Sequence, residues 1–325
     1  MLKDKKILIT GGAGFIGSNL IERFLGQNNF IVCLDNFATG KRENLEPFMN
    51  NPNFRLIEGD IRDITVCQKA VEGIDVVLHQ AALGSVPRSI KDPVTTNDVN
   101  IGGFVNMLTA TKDAGIKRFV YAASSSTYGD HPTLPKVEDR IGKPLSPYAI
   151  TKYVNELYAE IFSSLYGIET IGLRYFNVFG KRQDPNGAYA AAIPKFIKLL
   201  INHESPLIFG DGEQSRDFTY IDNVVQMNEL AATTENPDAV NTVYNVAFGE
   251  ATTVNYLIEV LKNNLSKFDP EIAKVDPIHG DLRLGDILHS LAAIDKAQNL
   301  LGYDPQYSIK AGLEEAIDWY WEHLS

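Results

Sequence analysis

The chain has 325 residues, enough at ~150 residues per domain for roughly two domains or one large α/β unit, with a core that needs no metal or disulfide to hold it. Hydrophobic residues at 44% and charged residues at 22%, with 16 Phe, 14 Tyr and 2 Trp to pack, exclude a disordered chain. The 30 Lys and Arg against 41 Asp and Glu leave a net charge of −11, which argues against a surface that tracks nucleic-acid phosphates while allowing a few placed Arg to hold a small anion.

Met1 to Lys6 followed by Ile7-Leu8-Ile9 imitates a signal peptide, but the apolar run stops at Thr10-Gly11-Gly12, and no stretch approaches the ~18 apolar residues of a membrane span. A cytoplasmic protein is the expectation. Residues 5–9 are short, β-branched and apolar, and the glycine cluster after them opens a segment with Phe15, Ile16, Leu20, Ile21, Phe24 and Leu25 at helical spacing. Strand, turn and helix follow one another again: strands are expected at 30–34, 54–57 and 75–78, with a short helix at 64–71. A long helix at 93–114 is bounded by Pro93 and Gly115 and leads into a strand at 118–122. Ser146-Pro147 is a good N-cap and N1 pair for a helix that runs to Tyr166-Gly167, before a strand at 169–173. Continuous apolar strands alternating with helices imply right-handed βαβ units and an α/β, doubly wound parallel (Rossmann) sheet of six or seven strands.

Beyond about 175 the texture changes. Pro, Gly and Asn become frequent, as in Gln183-Asp184-Pro185-Asn186-Gly187, between shorter helices expected at 188–201, 221–233, 252–265 and 308–323. The expected division is a dinucleotide-binding domain at 1–175 and a smaller C-terminal substrate-binding lobe at 176–325, with segments such as Thr242–Val246 returning to the sheet. Cys33 and Cys67 form no C-x-x-C pair and are read as partly buried reduced thiols. His79, His131, His203, His279, His289 and His323 show no ligand spacing, so no metal is expected, and neither a nucleophile elbow nor a P-loop is present.

Gly11, Gly14 and Gly17, spaced G-x-x-G-x-x-G, lie between the first strand and the first helix, where missing Cβ atoms let the backbone approach a pyrophosphate and the helix N-terminus supplies positive partial charge. Phe15 and Ile16 belong to the same turn. Asp35 ends the second strand, 24 residues after Gly11, where a carboxylate accepts from an adenosine ribose and repels a 2′-phosphate. That favours NAD over NADP, although Asp35-Asn36 also suits a plain strand-end turn. Asp60-Ile61, after the third strand, is placed to flank the adenine.

Tyr148 and Lys152 stand four residues apart, on one face of the helix that begins after Ser146. A phenol is a poor base near neutrality, but a neighbouring ammonium and the positive nicotinamide ring both stabilise phenolate. Y-x-x-x-K is common on helices and gains meaning here from its place after the fifth strand. Ser124-Ser125-Ser126 follows that strand at the carboxyl edge of the sheet, where doubly wound folds bind ligands, and a hydroxyl there can donate to a substrate oxygen. The same loop could simply cap its own backbone.

Together these residues resemble the extended short-chain dehydrogenase/reductase family, along nearly the whole chain. Gly84-Ser85-Val86-Pro87-Arg88-Ser89, Leu145-Ser146-Pro147-Tyr148, Arg174-Tyr175-Phe176-Asn177-Val178-Phe179-Gly180, Gly187-Ala188-Tyr189-Ala190-Ala191 and Ser215-Arg216-Asp217-Phe218 are similar to segments of the UDP-sugar 4-epimerases, in particular the UDP-N-acetylglucosamine 4-epimerase branch. The resemblance implies NAD as cofactor, a UDP-N-acetylhexosamine as substrate and a homodimer. It makes Tyr148 the base at the sugar 4-hydroxyl, Lys152 the ligand of the nicotinamide ribose and Ser124 the catalytic hydroxyl. Ala81, Ala82 and Asn100 join the cofactor residues; Ser85, Val86, Ser125, Ser126, Asn177, Arg216, Arg283 and Asp286 fall to the substrate.

Ser290 is placed by the resemblance in the pocket wall, at a position that is bulky in galactose-specific relatives and small in this branch, leaving room for a 2-acetamido group. The branch usually reads Ser-Leu-Ala-Asp there, whereas this chain reads Ser290-Leu291-Ala292-Ala293. UDP-glucose or a UDP-N-acetylglucosaminuronate, with Arg88 receiving the carboxylate, is the alternative substrate, and a non-catalytic NAD-sensing protein is the alternative of another class. A dehydratase is disfavoured because such enzymes resemble Thr-Asp-Glu where this chain has Ser124-Ser125-Ser126.

Overall fold

Alternating strand residues of the first half face two separate apolar layers, and this fixes the architecture. The computed structural model describes residues 1–184, 192–281 and 288–325. Strands β1 (Lys6–Thr10), β2 (Phe30–Asp35), β3 (Phe54–Glu58), β4 (Val76–His79), β5 (Arg118–Ser124) and β6 (Glu169–Tyr175) join Thr242–Val246 in one seven-stranded parallel sheet. The order is Thr242–Val246, β6, β5, β4, β1, β2, β3, so the direction of winding reverses at β1, which pairs with both β2 and β4. Ligands bind such sheets outside the carboxyl ends of the strands flanking that switch.

Helices α1 (Phe15–Leu25), α2 (Ile64–Ala70), α3 (Val86–Lys91), α4 (Pro93–Asn97), α5 (Phe104–Asp113) and α6 (Pro147–Tyr166) connect these strands. On one face Ile7, Ile9, Cys33, Leu78 and Val120 pack with Leu20, Ile21 and Phe24 of α1 and Val224 of the helix Ile221–Thr233. On the other, Leu8, Val32, Val77 and Phe119 pack with Phe104, Met107 and Leu108 of α5 and Cys67 of α2. Both cysteines are free and buried. Thr242–Val246 pairs with β6, as its sequence pattern suggests.

The region 93–114 is helical but not uniform: a π-turn at Asp98–Gly103 separates α4 from α5. It brings Gly103 against the β3–α2 loop, where a Cβ would meet Ile61 at 2.4 Å. Helix α3 is an addition to the expected elements; Ser85 caps it by accepting from the Arg88 N–H, and Pro87 sits in its first turn.

Beyond β6, short pairs join Leu207–Phe209 with Ile278–Gly280, Ser215–Arg216 with Thr252–Thr253, and Val178–Phe179 with Thr219–Tyr220. The helices there include Ala192–Ile201, Val254–Leu265, the unanticipated Asp295–Leu301, and Ile309–Leu324. Residues 185–191, which hold the Gly187 to Ala191 motif and the start of the helix expected at 188–201, lie outside the described residues, as do Arg283 and Asp286. Among the described residues no helix is long and apolar enough to cross a membrane.

Candidate active site

The glycine turn is a close contact between backbones. Gly11, at φ +68°, donates to the Leu34 carbonyl at 2.8 Å, and a Cβ on it would stand 2.8 Å from the Ala81 backbone. A Cβ on Gly17 would stand 2.3 Å from the Gly11 carbonyl oxygen, so α1 starts flush against the turn. The carboxylate of Asp35 accepts from the N–H of Ala13 at 2.9 Å and of Phe37 at 2.7 Å. Burial raises its pKa, and these two donors act in the opposite direction. Asn36 donates to Asp60 at 2.9 Å, and Arg62 forms a close ion pair with the same carboxylate at 2.7 Å. The Arg62 hydrogen bonds are the main reason Asp60 falls to about 2.

These groups wall a cleft of about 450 Å³ together with Gly14, Phe15, Ile16, Ile61, Ala81, Ala82, Ser124, Tyr148 and Lys152. A cleft lined by the glycine turn, by the first residues of α1 and by the Asp35 carboxylate fits a dinucleotide without a 2′-phosphate. Asn100 is not on the wall. It is buried behind it, accepting from the Leu83 N–H at 2.7 Å and donating to the Leu83 carbonyl and to Thr151, so it supports the floor. Arg62, Gln80, Thr95 and Tyr175 also line the cleft and were not anticipated. Arg62 follows Asp60-Ile61, the pair expected to flank the adenine, and Tyr175 lies in a segment singled out for other residues, so both signals were in view.

Helix α6 carries Tyr148 and Lys152 into the cleft because Ser146 caps it, accepting from the Ala149 N–H at 3.1 Å, and because Pro147 suits its first turn. Ser124 ends β5 on the wall of the same cleft as Tyr148 and acts to lower the Tyr148 phenol's pKa. Its Oγ accepts from Ser126 N–H at 3.1 Å and Ser126 Oγ at 2.9 Å. Lys152 Nζ donates to the Ala122 carbonyl at 2.7 Å and stands 6.0 Å from the Tyr148 ring centroid. Burial draws the ammonium down to about 8, with Glu156 opposing. Within the protein alone, burial dominates and raises the Tyr148 phenol, with the Ser124 hydrogen bond as the counterweight.

Among the described residues, the expected substrate residues lie beyond the walls of this cleft. Ser85, at φ +124°, and Val86 begin α3, and Ser125 and Ser126 make the turn after β5. Asn177, at φ +31°, donates to the Asp217 carbonyl at 3.0 Å. Arg216 donates to the carbonyls of Ser215 and Leu288, and the Ser290 N–H donates to the Ser215 carbonyl at 3.0 Å, so Arg216 and Ser290 share one ladder. Asp217, not singled out from the sequence, binds the N–H groups of Phe248, Gly249 and Ala292 with its buried carboxylate. Ala293 is held by its backbone: its N–H donates to the Lys136 carbonyl and its carbonyl accepts from Asn245, each at 2.9 Å. The missing carboxylate at this position therefore leaves the segment anchored. Among the described residues no group of three His, Cys, Asp or Glu could hold a metal ion.

Residues 7–247 match the model of the NAD dependent epimerase/dehydratase family. A protein of Methanocaldococcus jannaschii described as a putative UDP-glucose 4-epimerase is 36% identical over 96% of this chain and 97% of its own. The solved UDP-N-acetylglucosamine 4-epimerase from Methanobrevibacter ruminantium, in complex with UDP-N-acetylmuramic acid, is 39% identical with a TM-score of 0.91 and covers 99% of both chains. The UDP-glucuronic acid 4-epimerase from Bacillus cereus, solved with UDP-glucuronic acid and NAD, is 33% identical with a TM-score of 0.86 over 98% of this chain and 99% of that one. The chain thus belongs to the NAD dependent epimerase/dehydratase family, as an extended short-chain dehydrogenase/reductase of the NAD-dependent UDP-sugar 4-epimerase kind.

Proposed function

We propose that the protein interconverts UDP-N-acetylglucosamine and UDP-N-acetylgalactosamine by inversion at C4. The observation that carries the choice of sugar is Ser290, a small side chain on the same ladder as Arg216, where a bulky residue would fill the space a 2-acetamido group needs. The likeness to a solved UDP-N-acetylglucosamine 4-epimerase supports the reading.

NAD, when bound, supplies the acceptor and later the donor of the hydride at the sugar C4. Tyr148 takes the proton of the 4-hydroxyl as the 4-keto sugar forms and returns it after the sugar has turned over about its diphosphate linkage. Ser124, on the wall of the same cleft as Tyr148, is placed to hold the same oxygen. Lys152 holds the nicotinamide ribose and adds positive charge beside the phenol. Arg216, with Arg283 from outside the described residues, holds the diphosphate firmly while the sugar stays free to turn, since guanidinium forks suit phosphate oxygens; Asn177 contacts the diphosphate or the sugar, and Asp286 is a further substrate residue. Residues 1–175 mainly serve the cofactor and 176–325 mainly the UDP-sugar.

The active species is a homodimer: Ile150, Leu157, Ile161 and Leu165 form an exposed apolar stripe along α6, with Val94 and Ile90 exposed on α4 and α3. Sedimentation velocity reads this directly, a monomer at micromolar concentration being the contrary result.

Proton NMR of UDP-N-acetylglucosamine, UDP-glucose and their uronates incubated with the protein tests the substrate. Appearance of the galacto isomer of the N-acetylated sugar is expected, and turnover of only UDP-glucose or a uronate would overturn the assignment. Tyr148→Phe should lose most turnover while retaining NAD; near-normal turnover would remove Tyr148 as the base.

A further inference from the structure

Glu156 lies one helical turn beyond Lys152 on α6 and meets Arg174 of β6 in a buried bidentate pair, Nε to Oε1 at 2.9 Å and Nη2 to Oε2 at 2.7 Å. Neither residue touches the cleft. A buried ion pair adds little stability over well-packed apolar groups of similar size, so stability alone gives no reason for one at this place. Its surroundings do. Arg174 also donates to the Glu138 carbonyl at 2.9 Å and lies over the Tyr128 ring, 4.8 Å from its centroid. The Tyr128 hydroxyl donates to Asn245 at 2.6 Å, and Asn245 Nδ2 donates to the carbonyls of Lys136 and Ala293, each at 2.9 Å. Lys136 in turn donates from its N–H to the Leu291 carbonyl at 2.7 Å. A continuous set of contacts therefore runs from the helix of Tyr148 and Lys152 to the chain next to Ser290.

Further ties hold that wall: Ser290 to the Ser215 carbonyl, Ala292 to the Asp217 carboxylate, Ala293 to the Lys136 carbonyl, and Ala292 in an apolar cluster with Tyr128, Phe176 and Ala247. None of these is made by a residue of α6. We propose that the Glu156–Arg174 pair, acting through Tyr128 and Asn245, is the positioning element that keeps the sugar-pocket wall around Ser290 in register with α6. The proposal rests on the reading of Ser290 as that wall. Lys152, which shares a helix face with Glu156, would keep its ribose contact when the network is cut, so the defect should appear in sugar binding and spare the cofactor.

The test is steady-state epimerisation by Tyr128→Phe, Glu156→Gln and the double variant, with bound NAD quantified in each. Tyr128→Phe removes one hydroxyl and leaves the ring beneath Arg174, so it keeps the test decisive if Glu156→Gln fails to fold. Each folded single variant should raise KM for the UDP-sugar about tenfold, the scale of one buried hydrogen bond to a coupled network, with NAD content as in the wild type. The double variant should be no worse than the poorer single, because both cut one path. A wild-type KM in folded Tyr128→Phe, or effects that multiply in the double variant, would overturn the positioning role. A wild-type protein that epimerises no UDP-sugar would instead remove the functional reading, and the proposal with it.

Discussion

Gly17→Ala tests whether the cofactor cradle is built on backbone contact. The new Cβ would stand 2.3 Å from the Gly11 carbonyl oxygen, 2.7 Å from Gly12 Cα and 2.9 Å from the Gly11 carbonyl carbon. All three are main-chain atoms that cannot rotate away, so α1 and the turn must part by ~1 Å to regain ordinary contact distances. Overpacking of this kind costs about 1–3 kcal/mol, and alanine's better helix propensity recovers at most ~1 kcal/mol of it. Parting also strains the Gly11 to Leu34 and Gly14 to Gly11 hydrogen bonds that shape the cradle. Gly14→Ala is the matched contrast: at φ −78° its Cβ would meet only the Gly11 oxygen, at 3.2 Å, and otherwise faces open cleft. Thermal melts with and without NAD separate the two. Gly17→Ala should melt several degrees low without ligand, whereas Gly14→Ala should melt near the wild type yet lose the shift that NAD gives, which is about 2.7 kcal/mol at a hundredfold excess over Kd. A Gly17→Ala protein with wild-type melting and full cofactor content would refute the close-contact account, and Gly14→Ala with undiminished NAD binding would refute the placement of the pyrophosphate.

Ser290→Tyr should lower kcat/KM for UDP-N-acetylglucosamine by about a hundredfold, since a small pocket rejects extra bulk by a few kcal/mol, while UDP-glucose loses less; equal losses for both sugars, read by coupled assay, would detach Ser290 from the acetamido group. The pH dependence of ligand-free stability should carry the mark of Lys152. Its folded pKa is drawn down to about 8 from 10.5, so between those values the unfolded chain holds the extra proton, and stability rises with pH across that window and is lost as pH falls through about 8. The gain is roughly 3 kcal/mol, read as the difference in urea unfolding between the wild type and Lys152→Met over that range. Parallel pH curves for the two proteins would show that Lys152 is not desolvated.

The sheet was readable from the sequence because parallel strands buried on both faces spell continuous apolar runs, as in Ile7-Leu8-Ile9 and Val76-Val77-Leu78. Strand β6 runs on past its expected end to Tyr175 because its polar tip finds distant partners that no local pattern contains: Arg174 is buried by Glu156, and Tyr175 bonds Gln80; β5 runs on to Ser124 beside it, Ala123 and Ser124 pairing with Arg174 and Tyr175. Helix Asp295–Leu301 was not anticipated; Ile294 at its N-cap makes no side-chain cap, so the usual start signal is missing. The π-turn at Asp98–Gly103 is set by the approach of Ile61 to Gly103, a tertiary contact invisible to periodicity.

The two halves of the site differ in how far their contacts reach along the chain. The cofactor cradle is held by Gly14 to Gly11, by Asp35 to Ala13 and Phe37, and by Asn36 to Asp60, all within about fifty residues, from the end of β1 to the loop after β3. The segment proposed as the sugar wall is held by Ser290 to Ser215, Leu291 to Lys136 and Ala293 to Asn245, which tie it to three distant segments. Short-range constraints leave motifs with fixed spacing, so the reaction class can be read from residues such as Tyr148 and Lys152. Long-range constraints made through main-chain atoms leave no such trace, because many side chains satisfy them equally. Ala293 shows the consequence: both of its recorded hydrogen bonds are made by backbone atoms, so a residue that departs from the family pattern changes the sequence without cutting the wall loose.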